Sequence, residues 1–194
     1  MAKIIVTEGV TLDGVMQSPG RADEDTRGGF SLGGWAAPYA DESIGRFMGP
    51  AMQRSTGMLL GRRTYEDLLH HWTAGDEPNP FRDVFTNAQK YVVSRSADTV
   101  LAYPNSTLLA GEAAQTVAEL VSSIEGSLTV LGSGELVQAL RGARLIDGYV
   151  LQIHPLILGT GMRLFEPGDL ATLTLERSEV STSGVLLAEY AVAR

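Results

Sequence analysis

Two short stretches of this chain pass from an apolar, strand-like run through glycine into a helix-like segment, and that repetition limits what the chain can fold into. The first is Gly57-Met58-Leu59-Leu60-Gly61-Arg62-Arg63-Thr64-Tyr65-Glu66, and the second is Leu128-Thr129-Val130-Leu131-Gly132-Ser133-Gly134-Glu135-Leu136. A helix start carries backbone N–H groups with no intrahelical acceptor, so it attracts phosphate. Two such starts can hold both halves of a dinucleotide pyrophosphate, with Arg62, Arg63 and Arg95 adding positive charge. Neither turn reads G-x-G-x-x-G, so the ordinary Rossmann fingerprint is absent.

A chain of 194 residues is expected to form one domain, residues 1–194, with room for a core and a ligand cleft. The net charge of −8 argues against a general nucleic-acid or anionic-membrane surface, since phosphate backbones need a net positive face. Any anion must therefore be gripped locally. With no cysteine there is no disulfide framework, thiolate nucleophile or cysteine-bound metal. Met1-Ala2-Lys3 leads straight into a strand rather than a signal peptide, and no apolar run is long enough for a membrane helix, so a cytoplasmic protein is expected.

Lys3 to Thr11 is β-branched and apolar, which predicts a mostly buried strand interrupted at Glu8-Gly9. Asp13-Gly14 then turns the chain; Asp13 is either a carboxylate at a cleft mouth or a turn-forming aspartate. Val15 to Pro38 is rich in Gly, Ser, Pro and Asp and too long for an ordinary connection, so it reads as a lid anchored by Phe30 and Trp35. Asp41 to Arg54 places Ile44, Phe47, Met48, Ala51 and Met52 at helical spacing, an amphipathic helix interrupted at Gly49-Pro50.

The helix after the first glycine turn continues from Thr64 to Trp72. Glu66 and His70 stand at i and i+4, but with no third ligand in view they read as a surface helix face, and no metal is expected. Gly75 to Pro80 is a polar loop, and Lys90 to Ser94 a strand ending in Ser94-Arg95-Ser96. Two hydroxyls and a guanidinium at a strand end suit a 2′-phosphate, as in NADP rather than NAD, although a solvated strand end has the same composition. Further on come a strand (Ser106 to Ala110), a helix (Glu112 to Ile124), the helix of the second turn (Glu135 to Arg144) and a strand (Tyr149 to Ile153) closed by His154-Pro155. His154 reads as a packed or hydrogen-bonded residue. Ala171 to Val180 and Val185 to Val192 alternate in polarity around Ser181-Thr182-Ser183-Gly184, a terminal hairpin. The pattern is α/β, with a mostly parallel sheet and an antiparallel edge.

Five ordered motifs resemble a known family: Thr11-Leu12-Asp13-Gly14-Val15-Met16-Gln17, Leu60-Gly61-Arg62-Arg63-Thr64-Tyr65-Glu66, Val93-Ser94-Arg95, Gly132-Ser133-Gly134-Glu135-Leu136, and the run from Pro155 through Gly159-Thr160-Gly161 to Phe165. In order and spacing they are similar to the RibD C-terminal domain family, the dihydrofolate reductase-like proteins related to the reductase of riboflavin biosynthesis. The resemblance implies the dihydrofolate reductase fold, a central mostly parallel sheet flanked by helices, and NADPH as cofactor. It places Gly61, Arg62, Arg63 and Thr64 by the cofactor's adenosine and phosphates, and Ser94 with Arg95 by its 2′-phosphate. Backbone N–H groups of Gly132, Ser133, Gly134 and Glu135 would meet the pyrophosphate. The family's habit of pairing, together with the open edge of the terminal hairpin, implies a homodimer. Folate reduction is not implied, because Trp35 to Phe47 offers only Asp41 and Glu42 where a pterin-holding carboxylate is needed.

These readings converge on a reductase that passes hydride from NADPH to a C=N or C=O carbon of a small heterocyclic or sugar-derived substrate. The resemblance implies an activity like that of 5-amino-6-(5-phosphoribosylamino)uracil reductase. Asp13 is the candidate proton donor or substrate anchor, and Trp35 and Tyr39 are candidates to stack on a flat substrate, with a core role the alternative for Trp35. The competing function is an NADP(H)-binding sensor or sequestering protein without turnover.

Overall fold

The computed structural model describes residues 1–74 and 80–193, so most of the loop expected over Gly75 to Pro80 lies outside the described residues. In chain order the elements are β1 (Lys3–Thr11), α1 (Glu42–Arg54), β2 (Gly57–Gly61), α2 (Arg62–Thr73), α3 (Pro80–Asn87), β3 (Lys90–Ser94) and β4 (Ser106–Ala110). Then follow α4 (Ala113–Ser123), β5 (Ser127–Leu131), α5 (Gly134–Gly142), β6 (Gly148–His154), β7 (Leu173–Val180) and β8 (Leu186–Val192). The strands make an eight-stranded, mostly parallel sheet in the order β4-β3-β2-β5-β1-β6-β8-β7. By packing, the chain divides into two compact units, Met1–Ile4 with Arg54–Leu145 and Ile5–Gln53 with Ile146–Arg194.

In the first unit the parallel strands β4, β3, β2 and β5 are short and apolar. Met58, Leu59, Leu60, Val92, Leu128 and Val130 are all buried, as expected of a parallel sheet covered on both faces. Tyr65 and Leu69 of α2, Val117 and Val121 of α4, and Leu136, Val137 and Leu140 of α5 supply the helical share of this core. The chain leaves β2 for β3 and β4, then returns through α4 to β5 on the other flank of β2. Such a reversal opens a crevice at the carboxyl ends of the two strands, the usual ligand position in an open α/β sheet.

Helix α3 is absent from the sequence-based expectations. Its two turns of periodicity are too short to register, and what holds it is tertiary. Phe85 is buried and stacks on Trp72, with ring centroids 6.0 Å apart. Its C-terminal carbonyls are capped by a fully buried lysine: Lys90 Nζ donates to the carbonyls of Phe85 (2.9 Å), Thr86 (3.2 Å) and Ala88 (2.6 Å). Burial lowers the Lys90 pKa, and the three carbonyls at the negative end of the helix compensate the charge.

In the second unit β6 pairs parallel with β1 and antiparallel with β8, and β7 closes the terminal hairpin against β8. Phe47 of α1 packs on Val150, Val185 and Leu187. Two expected interruptions do not occur. β1 runs unbroken through Glu8 and Gly9, which pair in register with Leu151 and Gln152, because ladder hydrogen bonds on β6 override the weak strand preference of that dipeptide. α1 likewise continues through Gly49-Pro50. The proline removes one helical hydrogen bond, but Ile44, Phe47, Met48 and Ala51 seat both halves on one apolar cluster, and Arg177 donates to the Phe47 carbonyl at 2.9 Å.

The Gly-rich segment 15–38 carries two short 3-10 turns and a small core of its own, Val15, Phe30 and Trp35. Gly161 makes that core possible. At φ +111° it sits so close that a β-carbon would lie 2.8 Å from both Val15 and Phe30.

Candidate functional site

β2 and β5 are adjacent and parallel, so the two glycine turns that follow them meet. The Gly61 N–H donates to Ser133 Oγ at 2.8 Å, and the Ser133 hydroxyl donates to Thr64 Oγ1 at 2.7 Å. Gly61, in an extended conformation, is required by space, since a β-carbon there would lie 2.9 Å from Ser133 Oγ. Gly132 is required by its left-handed φ of +59°. Ser133 adopts the same region at +67° without being glycine.

Neither α2 nor α5 has a side-chain N-cap, although Ser133 occupies that position of α5 and serine there ordinarily bonds to its own first turn. Both helix starts thus point their positive dipole ends out from neighbouring strand ends with no capping oxygen supplied by their own N-cap side chains.

The nearby arginines differ in how committed they are. Arg62 donates to both oxygens of Glu66, at 3.0 and 2.8 Å, and Arg63 reaches Glu135 at 3.3 Å. Both pairs are solvent-exposed and hold by less than about 1 kcal/mol, so an incoming anion can displace them. Arg95 follows β3, whose Val93 stands opposite Gly61 in register. Its exposed guanidinium has no hydrogen-bond or ion-pair partner among the described residues. Ser94, just before it, is buried; its hydroxyl shares a hydrogen bond with Thr99 Oγ1 (2.7 Å) and accepts one from the Ser96 N–H (3.3 Å). The first unit therefore gathers Gly61, Arg63, Thr64, Ser133 and Glu135 into one cluster, with Ser94 and Arg95 two strands over from β5. Arg62 turns toward Glu66. Glu66 is thereby engaged, and among the described residues no group of three metal-ligating side chains occurs.

The second unit holds the remaining candidates. The Asp13 carboxylate accepts from Thr11 Oγ1 (2.6 Å), the Leu158 N–H (3.2 Å) and the Gly159 N–H (2.9 Å), with Arg163 Nη2 at 3.4 Å. The Thr11 hydroxyl first, then the two amides, hold its pKa down to about 2. An aspartate so engaged is ionised at neutral pH and braces the 156–163 loop. Trp35 takes the core alternative: it is buried, and its indole N–H donates to the Gln17 carbonyl at 2.8 Å. Trp35 and the half-buried Tyr39 both meet the His154 ring edge-on, at centroid distances of 5.1 and 5.6 Å.

Packing is the role the sequence suggested for His154. Burial lowers its pKa, and Nδ1 lies 3.0 Å from the Gln152 carbonyl and 3.3 Å from that of Val10, so Nδ1 carries the proton of a neutral ring. Asp41, outside the candidate set, accepts from the Ser43 hydroxyl, which most strongly keeps its carboxyl well below the usual range; it also caps α1 through the Ser43 and Ile44 amides and accepts from the Ser183 N–H at 2.8 Å. A cavity of about 480 Å³ lies between the Gly28–Leu32 stretch and Thr160, Gly161 and Met162, with Gln17 in its wall.

The sequence matches the RibD C-terminal domain over residues 2–187. The chain belongs to the RibD C-terminal domain family. Solved structures repeat its fold at low identity. A putative riboflavin biosynthesis protein from Shewanella sp. PV-4 superposes with a TM-score of 0.69 at 22% identity, covering 100% of both chains. The diaminohydroxyphosphoribosylaminopyrimidine deaminase/5-amino-6-(5-phosphoribosylamino)uracil reductase of Thermotoga maritima gives 0.66 at 15% identity, over 99% of this chain and 57% of that one. Dihydrofolate reductase from Enterococcus faecalis, complexed with NADP(H), gives 0.60 at 15% identity, over 99% and 97% of the two chains. The fold of this RibD C-terminal domain is therefore dihydrofolate reductase-like. No curated protein sequence matches it. Among the described residues no helix is long and apolar enough to cross a membrane.

Proposed function

We propose that this RibD C-terminal domain protein is a cytoplasmic, homodimeric NADPH-dependent reductase, acting on a C=N or C=O carbon of a small heterocyclic or sugar-derived substrate. The observation that carries the reading is the meeting of two open helix starts at the carboxyl ends of β2 and β5, with the Arg95 guanidinium, unpaired among the described residues, at the end of the next strand. Those groups fit a doubly anionic pyrophosphate and a separate phosphomonoester. The α2 and α5 amides bind the pyrophosphate, and Arg95 with Ser94 selects the 2′-phosphate, because a planar guanidinium gives charge-assisted bonds that a ribose hydroxyl cannot match. The bound nicotinamide supplies the hydride. Asp13 contributes by bracing the 156–163 loop. The printed activity of the Thermotoga maritima enzyme, a uracil reductase, makes phosphoribosylated aminopyrimidines the first substrates to test.

The experiment is a titration of NADPH and NADH into the protein and its Arg95→Ala variant, followed by absorbance at the nicotinamide band with candidate pyrimidines and aldehydes present. Wild type should favour NADPH, and Arg95→Ala should lose about tenfold in NADPH affinity while leaving NADH unchanged. Equal affinities for the two nucleotides in wild type would remove the 2′-phosphate assignment. Tight NADPH binding with no oxidation across the panel would favour a nucleotide-binding sensor instead.

A further inference from the structure

We propose that the Ser133 hydroxyl is a positioning group that fixes the spacing of the two glycine turns and leaves the start of α5 open for the ligand. The inference deepens the nucleotide reading above and rests on it.

Ser133 spends its hydroxyl in an unusual way. It stands at the N-cap of α5, where serine normally turns back to bond an amide of its own first turn. Here the oxygen instead accepts from Gly61 N–H at 2.8 Å and donates to Thr64 Oγ1 at 2.7 Å, across 72 and 69 residues of sequence. Both functions of the hydroxyl are used between the turns, and none on α5. The backbone accommodates this by holding Ser133 at φ +67°, a conformation that a residue with a β-carbon adopts at some expense. The surroundings are shaped to the bridge. A β-carbon on Gly61 would come within 2.9 Å of the serine oxygen, and one on Gly132 within 3.2 Å of the Thr64 methyl. Strain at Ser133 and bare positions at Gly61 and Gly132 all serve one cross-turn bridge.

Its consequence is geometric. A pyrophosphate held by amides from two helix starts is bound well only if those starts keep a fixed separation, since each misplaced donor forfeits most of a hydrogen bond. The bridge sets that separation at the level of the turns themselves, closer to the ligand than the β2–β5 ladder, whose register ends at Leu59 opposite Val130. Glycine at 133 would satisfy the φ but not the bridge, which makes the two contributions separable.

The test compares Ser133→Gly, Ser133→Ala, Thr64→Val and the Ser133→Ala/Thr64→Val double variant, measuring melting temperature and the affinities for NADPH and NADH. Ser133→Gly should melt no lower than Ser133→Ala, because it relieves the left-handed strain, yet both should bind either nucleotide about tenfold more weakly than wild type. Thr64→Val should weaken binding in the same direction. The double variant should lose less than the sum of the two single losses, as expected for one shared bridge. A purely structural serine would instead move affinity in step with melting temperature. Wild-type affinity retained by a folded Ser133→Gly protein overturns the proposal while leaving the nucleotide site standing, and a loss confined to NADPH overturns it in favour of a 2′-phosphate contact. If wild type itself binds neither nucleotide, the underlying reading fails.

Discussion

Asp13 shows how a side chain that looks catalytic in sequence can also carry a structural load in place. At the end of a first strand, before glycine, a carboxylate suggests acid chemistry, but this one collects a threonine hydroxyl and two loop amides. Its pKa falls from 3.8 to about 2, so the folded state binds the proton less readily than the unfolded chain. For a depressed carboxylate the stabilisation is fully present above the unfolded pKa and fades as pH falls through the folded one. Asp13→Asn should therefore lower stability by about 1 kcal/mol at neutral pH, and the gap to wild type should close between about pH 4 and pH 2 in urea titrations. A constant gap across that range would assign the difference to packing. Gly61, Gly132 and the basic residues around them were legible from the sequence because a strand–glycine–helix turn is local. The bridging of Ser133, the diversion of Arg62 to Glu66 and the double duty of Asp41 were not, since each depends on a partner brought in by tertiary packing.

At the scale of elements, the strands were readable wherever burial on both faces produced a mostly apolar run, as in β2, β3 and β5. What the sequence concealed were places where packing overrules a breaker. Glu8-Gly9 continues as strand and Gly49-Pro50 continues as helix, while α3 survives on the Phe85–Trp72 stack and the Lys90 cap. Gly148 makes the same point from the other side. It lies just before the strand expected over Tyr149 to Ile153, yet it opens β6, where it pairs with Ile5 on one flank and Ala191 on the other. A β-carbon there would sit 2.7 Å from the Tyr190 carbonyl oxygen and 3.2 Å from Ile5 Cδ1. The first contact is backbone within a ladder and cannot swing away. Gly148→Ala should thus destabilise by about 2 kcal/mol through strand displacement, seen as a lower denaturation midpoint. An unchanged midpoint would mean that β8 slides without loss.

For the molecule as a whole, the homodimer expected from an open hairpin edge must be relocated to account for the residues that edge carries. β7 stands last in the strand order, but it bears Glu176, Arg177 and Glu179 and a register shift between Leu175 and Arg177, features that discourage a further strand from adding on. The face of the hairpin is different. Cross-strand partners share a face, so Val180 with Leu186, and Leu175 with Tyr190, lie on one side, while Val185 and Leu187 lie on the other against α1. On the first of these sides Leu175, Val180 and Leu186 are 52, 63 and 47% exposed. Three exposed aliphatic side chains along one face of the hairpin, on a chain of net charge −8, offer apolar surface that a second copy can bury, and apolar burial is needed there because like-charged chains repel. Light scattering should give twice the 20.7 kDa chain mass, and Leu186→Glu, which faces solvent in the single chain, should return it to one chain mass without lowering the melting temperature of the monomeric form. A wild type that scatters as 20.7 kDa at every concentration would leave that face to solvent and the dimer without a basis.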